Sequence, residues 1–212
     1  MKQIFKLMLC VLALGPATVM AAQVAITHTA DNVLTVSGVC LDPDCNSPSL
    51  IIPPGPNADN WTIADTTMVN LAPGEYELAF FVGNFGNPGP NNPGGFLAEI
   101  AWGGNSLLSS AAWDVAICPT PNPNSCDFDN WVSATEWGNN GGANIWTNVK
   151  GGAIDDISLA AQWLWSDNNF NADMDQYVVF RTHISIVPEP TSLALLGLGL
   201  VGVGFARRRR QN

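Results

Sequence analysis

The sequence predicts an antiparallel β-sandwich, on three observations. Short segments rich in β-branched and aromatic side chains recur along the middle of the chain, and none carries a sustained 3.6-residue repeat. Stretches of Gly, Pro and Asn separate them, drawn from 20 Gly and 15 Pro in 212 residues, which is ample turn-forming material. Two segments alternate strictly: Tyr76, Leu78, Phe80 and Val82 share one face, as do Val178, Phe180, Thr182, Ile184 and Ile186, leaving Arg181, His183 and Ser185 opposite. Strands with a period of two and one apolar face belong to sheets packed on one side and wet on the other.

The elements follow in order. Residues 1–21 (MKQIFKLMLCVLALGPATVMA) place Lys2 and Lys6 before an apolar run from Leu7 to Leu14 and a break at Gly15-Pro16, the layout of a signal helix. Val19 and Ala21 fit the positions that signal peptidase reads, so cleavage is expected after Ala21, with Ala22 as the alternative. Leu9, directly before Cys10, is too large for a lipoprotein site. The expected strands are VAITH, NVLTVSGV, SLII, YELAFFVG, FLAEIAW, WDVAIC, WVSATEW, NIWTNVK, ISLAAQWLW and YVVFRTHISIV. Leu71 to Tyr76 reads as a turn feeding a strand, and Asn84 to Gly95 (NFGNPGPNNPGG) as a long surface loop.

The chain closes on Val187, Pro188, Glu189 and Pro190, an apolar stretch from Leu193 to Ala206, and Arg207, Arg208, Arg209 and Arg210. Two prolines favour an extended, protease-accessible segment. The apolar stretch reads as a transmembrane helix, short of the roughly 17 to 25 residues of a stable span. The arginines would hold the C-terminus in the cytoplasm. These three parts in this order resemble the PEP-CTERM sorting signal. That resemblance implies an exosortase as partner, cleavage near Pro188 to Pro190, and attachment to the membrane through the tail before processing. It further implies passage through the inner membrane of a Gram-negative bacterium that makes exopolysaccharide, and delivery to the cell surface or extracellular matrix. Gly197 to Gly202 also matches GxGxxG, but the strand, helix and distant acid of a dinucleotide fold are missing around it. The expected organisation is a signal peptide (1–21), an exported domain (22–187) and a sorting tail (188–212).

Between Ala22 and Val187 the chain has 17 Asp and Glu against Lys150 and Arg181 alone, a formal charge of −15 compared with −10 for the whole. Such a field disfavours nucleic acid and anionic membrane surfaces, and leaves divalent cations and neutral sugars compatible. Cys40, Cys45, Cys118 and Cys126 remain after signal cleavage, an even number in an oxidising compartment. Local pairs, Cys40 with Cys45 and Cys118 with Cys126, are favoured over zinc because neither spacing matches a zinc knuckle.

Chemistry is sparse. His28 and His183 lack any catalytic motif around them. A glycosidase needs two carboxylates roughly 5 to 10 Å apart, and 17 acids nominate no particular pair. Asp42 to Asn46 starts like an EF-hand loop, but Ser47 and Pro53 break it. Asp167, Asp173 and Asp175, with Asn168, Asn169 and Asn171, concentrate hard oxygen ligands suited to Ca²⁺; solvated Asx-turns are the other reading, and Asp127 with Asp129 makes a thinner case. All eight Trp lie in the exported domain, most of them expected in the core. Trp137 and Trp146 flank the Gly- and Asn-rich segment 138–144 and are the candidates for an exposed glycan-stacking site.

The segment from Ile157 to Ile186 also resembles the closing strands of galactose-binding-like jelly-roll modules, through Ala161, Trp163, Leu164 and Trp165, then Phe180, Arg181 and Thr182. The resemblance implies a jelly-roll-like sandwich and an inclination toward carbohydrate. The expected function is a non-enzymatic surface or matrix β-sandwich that binds glycan, with exopolysaccharide as the expected ligand; the alternative is an exported polysaccharide-active hydrolase.

Overall fold

The computed structural model describes residues 21–40, 50–86, 89, 92–166 and 176–187. Within them, Ala22–Ile186 form one compact unit. Its strands are β1 (Ala22–Asp31), β2 (Val33–Cys40), β3 (Leu50–Ile52), β4 (Asp65–Leu71), β5 (Gly74–Gly83), β6 (Gly95–Trp102), β7 (Asn105–Leu108), β8 (Asp114–Cys118), β9 (Val132–Ser133), β10 (Thr135–Asn139), β11 (Gln162–Trp165) and β12 (Tyr177–Ile186). A single turn of 3-10 helix covers Pro123–Ser125, and one α-helix, α1, covers Ile145–Lys150.

The strands make two antiparallel sheets. One runs β10-β11-β6-β1-β4 with β7 also paired to β6, and the other runs β3-β2-β5-β12-β8-β9. The alternation anticipated in β5 and β12 decides their register: Phe80 faces Phe180 and Leu78 faces Thr182 across the pair, so their apolar sides coincide. That shared side meets the β1 and β6 residues Val24, Ile26, Phe96, Ala98 and Ile100 in one buried cluster, as in a β-sandwich. Rings cross the interface, with Phe80 and Phe180 centred 5.1 and 5.0 Å from Phe96. Tyr76, at the start of β5, donates its hydroxyl to Ala72 O at 2.7 Å and so fastens the Leu71–Tyr76 turn.

Each sheet also carries a cover on its outer face. On the β5/β12 side the Cys118–Cys126 disulfide packs with Phe81 and Val179, flanked by Trp131 and Tyr177. On the β1/β6 side, Leu97 and Trp163 pack under Trp146, Ile154, Ile157 and Ala161. Asn140 ties that second cover together. Its Nδ2 donates to Ile154 O and Ile157 O, both at 2.9 Å, and its Oδ1 accepts from Ile154 N at 2.7 Å.

Several expectations change. Asn144–Lys150 was expected as a strand because Ile145, Trp146, Thr147 and Val149 favour sheets, but residues Ile145–Lys150 are helical. The cause is local: Asn144 Oδ1 accepts from Thr147 N at 2.8 Å as an N-cap, and Gly151 at φ 81° supplies the left-handed exit. Strand β4 was not anticipated, nor was β7, and the expected strand from Ile157 shrinks to β11. Of the expected loop Asn84 to Gly95, Phe85 and Gly86 are exposed but the described ends are buried. Asn84 is fully buried and exchanges side-chain and backbone hydrogen bonds with Asn92, and Gly94 lies against Trp165. Among the described residues no helix is long and apolar enough to cross a membrane. The expected signal helix and the transmembrane stretch Leu193 to Ala206 lie outside them.

Candidate functional site

A cleft opens on the outer face of the β1/β6 sheet, and its floor is the end of β1. Asp31 pairs with Gly95 of β6, where the lack of a side chain matters: a Cβ on Gly95 would sit 2.5 Å from the Trp146 ring. The indole of Trp146 therefore lies over the strand ends, and its Nε1 donates to Asp31 Oδ2 at 3.0 Å. Asn32 Nδ2 donates to Asp31 Oδ1 at 2.9 Å, while Asn32 Oδ1 accepts from Phe85 N at 2.6 Å. Trp163 stacks on Trp146 with centroids 4.7 Å apart, and Trp61 meets Trp163 edge-on at 6.3 Å. Thr29 holds the Trp61 segment by donating to its carbonyl at 2.9 Å.

The enclosed space is about 160 Å³. Its polar lining is Asp31, Asn32 and Asn92; its apolar lining is Trp61, Trp146, Pro93, Ile145 and Val149. Ligand pockets commonly measure roughly 300 to 1,000 Å³, so this one is sized for a single small ring. Burial lifts the Asp31 carboxyl from 3.8 to about 6, partly opposed by the Trp146 hydrogen bond. The carboxylate is thus an acceptor at neutral pH and a donor in mild acid. Among the described residues, the lining offers no nucleophile, histidine or second carboxyl.

A second cluster lies on the outer face of the other sheet. Arg181 Nε bonds Asp114 Oδ2 at 3.0 Å, its Nη1 lies 3.6 Å from Glu77 Oε2, and its guanidinium sits 4.0 Å over Trp131. His183 Nε2 is 3.2 Å from the same Glu77 oxygen. Burial raises the Glu77 pKa, against the opposing charges of Arg181 and His183. His183 is exposed on the outward face, as the alternation requires. His28 is buried in the core on the inner face of β1, where burial holds its pKa down at about 4.

The aromatic expectations need correction. Trp146 is only 1% exposed, because its helix turns it onto Trp163 instead of presenting it to solvent. Trp137 is half-buried against both apolar clusters. Trp146 thus offers no open stacking face, although its edge lines the cleft. Asp31, Asn32 and Trp61 were not singled out from the sequence; Asp31-Asn32 after an alternating strand signals a turn and nothing more. Cys118 pairs with Cys126 as expected. Cys40 is also disulfide-bonded; its partner lies outside the described residues, as does Cys45. Asp167, Asp173 and Asp175, and the tail residues Pro188, Glu189, Pro190 and Arg207 to Arg210, lie outside them too. Asp127 and Asp129 are exposed, and Asp127 accepts from Asn130 of its own turn at 2.8 Å. Among the described residues no three His, Cys, Asp or Glu are grouped to hold a metal ion.

Residues 187–210 match the PEP-CTERM protein-sorting motif. The chain therefore carries that signal, which implies exosortase processing, export and transient membrane anchoring. No curated protein and no solved structure matches the chain.

Proposed function

We propose that the protein is a non-enzymatic component of the cell surface or extracellular matrix of a Gram-negative bacterium. A sorting tail delivers it, and it binds glycan through its sandwich domain. The observation that carries this reading is the sorting motif at residues 187–210, which supports export of the acidic domain. Repeated crossings of the chain between sheets, as from β1 to β2, β4 to β5, β5 to β6 and β11 to β12, favour a jelly-roll type of sandwich.

The cleft supports binding over turnover. Two-carboxylate glycoside hydrolysis needs an acid and a partner flanking the scissile bond, and Asp31 is the single acid of the lining among the described residues. At the other cluster, Glu77 and Asp114 are both engaged by Arg181. The released protein, incubated with exopolysaccharide from an exosortase-bearing host, should co-sediment with it and liberate no reducing ends. Reducing ends that vanish on substituting a carboxylate would establish the hydrolase instead.

A further inference from the structure

The cleft between the end of β1, the Trp61 segment and α1 has a size, a chemistry and a charge that together select a ligand. Its volume of about 160 Å³ is on the scale of one ring. A carboxylate offers about four acceptor positions, and Asp31 uses two of them, toward Trp146 Nε1 and Asn32 Nδ2. The remaining lone pairs suit hydroxyl donors. Trp61 is half-buried and supplies an indole wall, while Pro93 and Val149 make apolar lips for C–H faces.

Among the described residues no cation lines this space. The domain's two are engaged elsewhere: Lys150 with Ala153 O and Asp155, and Arg181 with Asp114 and Glu77. An anionic ligand would meet Asp31 and a domain charge of −15 without compensation. We propose that this cleft holds a single residue of an uncharged glycan, its hydroxyls donating to Asp31 and its apolar face against Trp61. The proposal rests on the glycan-binding reading and narrows it to one residue held in this cleft and to neutral sugars.

The test uses the released protein and four probes: D-glucose, D-galactose, N-acetyl-D-glucosamine and D-glucuronate, titrated by calorimetry. At least one neutral sugar should bind with Kd on the order of 1 mM, and glucuronate at least about ten-fold more weakly. Asp31→Asn should weaken the neutral sugar about ten-fold, the scale of a lost charge-assisted hydrogen bond. Val149 is 69% exposed at the mouth, so Val149→Trp should close the cleft and abolish binding while leaving the Tm unchanged. Failure of every neutral sugar to bind overturns the proposal, as do glucuronate binding equal to the neutral sugars and undiminished binding by Val149→Trp. Exopolysaccharide that is retained but displaced by no monosaccharide overturns the cleft alone. No retention at all takes the wider glycan reading with it.

Discussion

His28 and Asp31 lie on opposite faces of β1, and protonation acts on them with opposite sign. His28, against Asp65 on β4 and Phe80, has a folded pKa of about 4 against 6.5 unfolded, so the unfolded chain binds its proton first. Its contribution to stability is complete above 6.5 and is lost as pH falls toward 4. Asp31 has a folded pKa of about 6 against 3.8 unfolded, so its contribution is complete below 3.8 and is lost as pH rises through 6. Each is worth about 3 kcal/mol across its window, and the windows overlap. Asp31→Asn removes one of the two slopes. Relative to wild type, its denaturant midpoint should fall progressively as pH is lowered from 6.5 to 4, whereas a pH-independent difference would refute the assignment. Arg181 gives a second residue-scale prediction. Arg181→Met leaves the buried Glu77 carboxylate with His183 alone and should cost about 2 to 4 kcal/mol at pH 7. The loss should shrink as pH is lowered, because burial raises the Glu77 pKa and protonation then relieves the unpaired charge; a loss that does not change with pH would place the cost in the Trp131 stacking instead.

The outer cover from Asn140 to Ala161 is held together by Asn140 and the Asn144 cap, and is tied to the sheet by Trp146 Nε1 donating to Asp31 Oδ2 at 3.0 Å and Glu99 Oε2 accepting from Ser158 N at 2.8 Å. Asn140→Ala removes three hydrogen bonds at a buried position and strands the Ile154 N–H, at a cost of about 2 to 3 kcal/mol. Hydrogen exchange should then accelerate in 140–161 and much less in β5 and β12; uniform acceleration would mean that the cover and sandwich unfold together. This cover also marks the limit of what was legible in the sequence. The faces of β5 and β12 were readable because a period of two is set locally, and the Cys118–Cys126 pair because it closes a short Pro- and Asn-rich loop. The helix at Ile145–Lys150 was not, since six residues are too few for a helical period to appear and its β-branched side chains point the other way. Its cap, Asn144, and exit, Gly151, were in plain view as loop composition. The burial of Trp146 followed from that misreading, and the cleft depends on Gly95 and Asp31 being neighbours across a strand pair, a long-range register that no local pattern carries.

At the scale of the molecule, charge is divided along the chain. Residues 22–187 have 17 acids and two cations, whereas six of the eight Lys and Arg lie within the first six and the last six residues. A tail ending in Arg207 to Arg210 serves the membrane step and would add four positive charges to an acidic domain if it stayed attached. The central claim is that the motif at residues 187–210 is processed and the sandwich is released without its tail. Intact-mass and C-terminal peptide analysis of the protein recovered outside an exosortase-bearing cell tests it most directly. The account predicts a C-terminus near Pro188 to Pro190, and retention of the full tail in the membrane fraction when those residues are deleted. Protein recovered outside the cell with its chain intact through Arg210 to Asn212 would contradict it.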